Sequence, residues 1–178
     1  MKDFVTVSSN ALDARARGAV GVRATDGQVY VYAGDASKLY SLTAGANTFS
    51  DVSGSAYSLS ADSRWEFALY GSRLIATNYD NAVQSITLGG ASFADLFTST
   101  LKPKARTIAV VGDQLVMGDT NDATDGAVPN RVWWTALNNV VNADPSASTL
   151  ADFDDRPDGG RVRKIIGGDY GKIGRAHV

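Results

Sequence analysis

The chain has 178 residues, 17 Lys and Arg against 19 Asp and Glu, a formal net charge of −2, 18 glycines and no cysteine. This length suits one ordinary domain or a piece of a larger one. The near balance of charge, with no long block of one sign, argues against a nucleic-acid arm or a polybasic membrane anchor, and the missing cysteines exclude a disulfide framework, a thiolate-bound metal and a cysteine nucleophile.

Short apolar runs punctuated by Gly, Asp and Asn, with almost no sustained helical spacing, predict an all-β fold. In chain order the predicted strands are 4–7, 19–23, 28–33, 38–42, 66–70, 73–77, 83–88, 107–111, 114–117, 131–135 and 162–166. No apolar run reaches the roughly 18 residues of a membrane span. The opening residues also lack the apolar core of a signal peptide, so the chain reads as soluble and not exported by the standard route.

An internal repeat narrows the architecture. GQVYVYAG at 27–34, GSRLIATN at 71–78 and GDQLVMGD at 112–119 superimpose at offsets of 44 and 41 residues. TFSDVS at 48–53 matches SFADLF at 92–97, KLYSL at 38–42 matches part of VQSITL at 83–88, and EFALYG at 66–71 resembles TIAVVG at 107–112, with RKIIGG at 163–168 as a fourth copy. Each unit reads as strand, tight turn, strand, polar loop, strand and aromatic edge segment. A unit of this size buries its faces only against its neighbours, which is the pattern of β-propeller blades. The expected fold is a partial β-propeller of about three to four antiparallel blades, since a ring normally closes with about four to eight. Residues 1–18 are expected to form an N-terminal extension or closing strand, and 19–173 the incomplete propeller.

Gly27, Gly71 and Gly112 stand between apolar runs, where a positive φ lets adjacent strands turn and pair. No GxxxxGK[ST] run or strand-to-helix GxGxxG context accompanies them, so no nucleotide cofactor is expected. The run DTNDATDG at 119–126 offers hard oxygens from Asp119, Asn121 and Asp125 that suit a structural calcium ion, although the spacing is not that of an EF-hand. Turn formation and solvation explain the same residues. Asp152, Asp154, Asp155 and Asp158 form a second acidic group. Carboxylates held across a cleft could hydrolyse a glycoside, but Arg156 and Arg161 beside them, and the turn signal at 157–160, favour loop caps and ion pairs.

Trp133 and Trp134 are adjacent in a predicted strand, so their side chains should face opposite ways, one to a blade interior and one to an edge, groove or partner. Trp65 is read as an anchor at a blade edge, and Trp134 as an alternative sugar platform. The sole histidine, His177, is the next-to-last residue, and a Ser-His-Asp triad is not expected. The arginines look dispersed, without the basic surface of a sequence-reading DNA module.

Taken in order, WEFALYGSRLIATNYDNAVQSITLGGASFADL, PKARTIAVVGDQLVMGDTND, NRVWWTALNN and DFDDRPDGGRVRKIIGGDYGKI resemble β-propeller structural proteins of tailed bacteriophages and prophages, of the tail-hub, nozzle or packaged-DNA-stabilisation kind. The resemblance covers about residues 20–173. It implies a non-enzymatic virion component in the tail or head–tail junction, assembled in the host cytoplasm and without a cofactor. The partners it implies are other virion proteins and further copies of the chain. It also implies a longer parent with later blades, and the closing IGRAHV, from Ile173 to Val178, departs from the pattern like one frame of a sequencing adapter. Segments 119–130 and 138–160 are the candidate interface loops. Two readings compete: a carbohydrate-binding or carbohydrate-cleaving propeller built on Trp134 and Asp154, and a cellular protein-interaction propeller.

Overall fold

The computed structural model describes residues 8–43 and 45–168 with their side chains, together with the backbone of 172–175. The described chain is all-β. β1 (Gly18–Arg23), β2 (Val29–Gly34), β3 (Leu39–Thr43) and β4 (Thr48–Asp51) form one antiparallel meander. β5 (Glu66–Tyr70), β6 (Arg73–Thr77), β7 (Gln84–Thr87) and β8 (Ala94–Asp95) form a second, and β9 (Lys104–Val111), β10 (Gln114–Asp122), β11 (Gly126–Trp134) and β12 (Asp152–Asp155) a third. β13 (Val162–Ile166) and β14 (Lys172–Arg175) make a two-stranded sheet, so the array of described sheets is open.

The repeat maps onto this arrangement. Its three glycine-led copies are β2, β6 and β10, the second strand of each meander, and the turns before them place Gly27, Gly71 and Gly112 at φ of 89°, 57° and 55°. The first strands lie side by side. Trp65 N–H, just before β5, donates to the Arg17 carbonyl just before β1 (3.0 Å). Thr77 Oγ1, opposite the start of β5, donates to the Ala105 carbonyl of β9 (2.6 Å). Ile165 N–H of β13 donates to Thr107 Oγ1 of β9 (3.3 Å), and Val111 forms a parallel bridge with Gly168.

Alternation along the second strands fills the seams between sheets, because successive strand side chains face opposite ways. Leu74 and Ala76 face the first sheet, where they meet Tyr32, Leu39, Trp65 and Phe93; Ile75 faces the third and meets Leu115, Met117, Ile108 and Trp133. The third seam is smaller, with Ala109 and Val132 against Val162 and Ile165 of β13. Two glycines make the first seam possible. Gly18 and Gly34 are cross-strand partners, and a Cβ at Gly34 would overlap the Trp65 indole while one at Gly18 would overlap the Trp65 backbone. The indole fills that slot and donates through Nε1 to the Asp35 carbonyl (2.8 Å).

Several sequence expectations change. The acidic run at 119–126 is mostly strand: β10 continues to Asp122 and β11 starts at Gly126, leaving 123–125 as the turn. The proposed interface loop 119–130 is therefore largely a β-hairpin, and 138–160 contains β12 and a 3₁₀ turn at Pro157–Gly159. Strands β4, β8, β12 and β14 come in addition to those predicted. Of the expected N-terminal extension, Asn10 brackets β4 by accepting from Phe49 N–H (2.8 Å) and donating to its carbonyl (2.9 Å). The strand expected at 4–7 and His177 lie outside the described residues; of the segment from Ile173 onward, the backbone through Arg175 pairs with β13.

Candidate functional site

The chemically distinctive region is the end of the array where the first strand of each sheet begins and the second strand ends. In each meander a buried Asx side chain closes the connection to the third strand. Asp35 Oδ1 accepts from Ser37 and Lys38 N–H (2.7 and 2.8 Å), Asn78 Oδ1 from Asn81 N–H (2.8 Å), and Asp122 Oδ1 from Thr124 and Asp125 N–H (2.8 and 3.0 Å). Asp122, inside the run read as a calcium loop, thus does what Asp35 and Asn78 do in their sheets.

Asp119 sits one step earlier, in a bulge between Gly118 and Thr120 with φ of 54°. The bulge turns its side chain inward until it is fully buried. Its Oδ2 accepts from Arg106 Nε at 2.8 Å and pairs with Arg161 Nε at 3.3 Å. Arg106 also lies 4.3 Å over the Tyr79 ring. One carboxylate of the third sheet therefore links a guanidinium stacked on the second sheet to another that leads into β13. Asp119 Oδ1 and Thr120 Oγ1 are buried without a partner, as are Asn78 Nδ2 and Glu66 Oε2 at the same end.

The other predicted ligands are elsewhere engaged. Asn121 is paired within β10 opposite Ala127 and Lys104, and Asp125 binds Arg131 Nη1 (2.7 Å). Among the described residues no group of three or more His, Cys, Asp or Glu is placed to hold a metal ion. The backbone thus does not converge Asp119, Asn121 and Asp125 on one point; two of the three face different arginines.

Arg131 is a second node. Its Nε and Nη2 form a fork to Asp155 (2.6 and 2.9 Å), Nη1 reaches Asp122 (3.1 Å) and Asp125, and its guanidinium lies 3.9 Å over the Phe153 ring. The fork holds the Asp155 carboxyl below the usual range against a smaller opposing effect of burial, and raises Arg131 further above its ordinary value. Asp154 pairs with Arg156, Asp152 accepts from Phe153 N–H (2.9 Å), and Asp158 lies in the 3₁₀ turn. Of the second acidic group, Asp155 fastens β12 to β11 through Arg131, while the contacts of Asp152 and Asp154 are local.

Trp133 and Trp134 face opposite ways, as alternation requires. Trp133 is buried in the second seam and donates to the Ala143 carbonyl (2.9 Å), while Trp134 is half-buried on the face that meets β13. Trp134 stands opposite Asp152 in the β11–β12 ladder.

Part of the basic set is grouped in space, while Arg73 lies at the opposite end of the second sheet and Arg131 and Arg156 are engaged at β11 and β12. Arg17, Arg64, Lys102 and Arg161 occupy the residue or two before β1, β5, β9 and β13, and those strand starts adjoin. Sequence separations of 38 to 59 residues between them hid the grouping, although the repeat that brings them together was visible. Among the described residues no helix is long and apolar enough to cross a membrane. Neither a family model nor a curated protein sequence matches the chain.

Proposed function

We propose that the chain is a non-enzymatic structural component of a tailed-phage virion, a scaffold in the tail or head–tail junction whose sheets are blades of a β-propeller. The observation that carries the reading is the succession of antiparallel meanders with adjoining first strands and interlocked seams, in a chain whose ordered motifs resemble those structural proteins. Such an array is stiff, because each sheet is packed on its neighbour through side chains from both faces. It holds the ends of the segment 138–151 in place, with Val140 and Ala143 buried in the second seam and Leu137 and Leu150 exposed beside it. An anchored, partly apolar surface segment of this kind suits contact with other virion proteins or with further copies around a particle axis.

The carboxylates support assembly over turnover. Asp119, Asp122, Asp125, Asp154 and Asp155 each meet an arginine, and all of these pairs but the local Asp154–Arg156 pair tie separate elements together. The test is particle composition. Particles are purified from a host carrying the gene and followed by mass spectrometry through a density gradient. The chain is expected to co-sediment with portal and tail proteins at constant ratio, and the gene to lie among genes for them. Its absence from particles would overturn the assignment.

A further inference from the structure

We propose that the end of the array where the first strands begin binds the phosphodiester backbone of nucleic acid, without reading base sequence. The proposal rests on charge placement and side-chain geometry and stands apart from the virion assignment. Charge is divided unevenly between the first and the outermost strands, most clearly in the third sheet, with Lys104 and Arg106 on β9 and Asp152, Asp154 and Asp155 on β12. The first strands β1, β5, β9 and β13 carry five Lys or Arg against Glu66 alone. Lys104, Arg106, Arg163 and Lys164 lie toward the starts of β9 and β13, Lys164 being paired with Glu66, and Arg23 ends β1 at the opposite end. The outermost strands β4, β8 and β12 carry five Asp, at 51, 95, 152, 154 and 155, and no Lys or Arg. A net charge of −2 conceals this division.

The basic positions recur in register. Arg17, Arg64, Lys102 and Arg161 precede successive first strands, so each sheet places one cation at the same end of the array. Arg64, Lys102, Arg161 and Arg163 are exposed. A cation repeated from sheet to sheet matches a ligand whose own charge repeats along a backbone, and several such contacts together give affinity by releasing counterions.

Arg106 and Arg161 are prepared for such a ligand. Both engage buried Asp119 through Nε, which leaves the Nη ends of both forks for an outside acceptor, and their side chains are 36% and 41% exposed. The Tyr79 ring beneath Arg106 holds that guanidinium extended. Guanidinium forks fixed from behind lose little freedom on binding and take two oxygens of a phosphate in parallel bonds. Asp119 is thus a positioning residue. Contacts of this kind address phosphates alone and carry no base readout.

The test uses the whole 178-residue chain and a fluorescein-labelled single-stranded DNA oligonucleotide, followed by fluorescence anisotropy over a salt series. Binding at low salt is expected, falling steeply with salt and equal for oligonucleotides of different sequence. Combining Arg106→Gln with Arg161→Gln should weaken binding for every oligonucleotide and reduce the salt slope by about 0.7 per lost contact. Arg73→Gln, at the opposite end of the second sheet, should leave both unchanged. If near-ultraviolet circular dichroism shows that the double variant has lost its packing, Lys102→Gln with Arg163→Gln, at exposed positions, carries the same expectation. No binding at low salt, an unchanged slope in the folded double variant, or displacement by poly-glutamate as effective as by unlabelled oligonucleotide would each overturn the proposal.

Discussion

The first and third seams use the same device, alternating strand residues from two sheets, yet differ in completeness. In the first, all four strands on each side contribute or adjoin, and the connection 52–65 adds Val52, Tyr57, Leu59 and Trp65. In the third, Ala109 and Val132 meet a two-stranded sheet through Val162 and Ile165, with Val111, Val116 and Trp134 half-covered at the margin. A Cβ at Gly118 would lie 2.5 Å from Val162 Cγ1, so the strands are as closely opposed as in the first seam. Closeness of backbones is therefore set by glycine and β-branched residues in the second and first strands, whereas the amount of buried surface depends on the third and fourth strands and the connection.

The first seam should be the stronger of the two. Trp65→Ala should have the largest effect, a loss of about 3–5 kcal/mol in denaturant unfolding, because it empties the glycine slot and removes the bond to the Asp35 carbonyl. Arg131→Ala should cost about 3 kcal/mol, since it leaves buried Asp122 facing Asp125 and Asp155 without a cation. Ile165→Ala in the third seam should cost about 2 kcal/mol, the low end for such truncations, and β13 amides should exchange with deuterium sooner than those of β6. Equal costs for Trp65→Ala and Ile165→Ala, with equal exchange, would mean that the third seam is as strong as the first. Asn78→Ala should cost about 1 kcal/mol by leaving the Asn81 N–H without its acceptor.

Acid should act most directly through β12. Arg131 lowers the Asp155 carboxyl, the N–H groups of Leu101 and Thr100 lower Asp144 against a smaller effect of burial, and at Asp35 burial raises the carboxyl but bonds from Ser37, Tyr40 and Lys38 outweigh it. Each folded value lies below the unfolded one, near 3.9 for Asp. The stabilisation is thus complete above that value and lost as pH falls through the folded value. The urea midpoint should hold steady down to about pH 5 and drop below about pH 4, with a shallower drop in Asp155→Asn. A midpoint unchanged into strong acid would show that these bonds contribute nothing to folding.

Much of this layout was legible as sequence because repetition and alternation are local. β5, β6 and β13 match their predicted residues, and the three glycine-led copies fall on equivalent strands. β12 was hidden because Asp-Phe-Asp-Asp opposes strand propensity, and what holds it is a fork from Arg131, 24 residues away. β8 is two residues long and carries little pattern of its own. The continuation of β10 through Asp119 depends on a bulge, and its acidic residues resemble a loop until Arg106 and Arg161 are seen beside them. The Asx turns did carry a signal: Asp35, Asn78 and Asp122 each end a second strand, followed by Ser, Asp or Thr two residues later. Read together, they would have placed Asp122 in a turn.

The adjacency of first strands around one end of the array underlies both the fold and the proposed binding face. Lys164 of β13 pairs with Glu66 of β5 at 3.0 Å, reaching past the start of β9, the first strand of the third sheet. Because the chain has no cysteine, Glu66→Cys combined with Lys164→Cys gives a clean cross-linking pair. A short bismaleimide should join the two positions within one monomer under native conditions and fail to do so in denaturant. No intramolecular cross-link in the native double variant, with both thiols reactive, would contradict the side-by-side placement of the first strands.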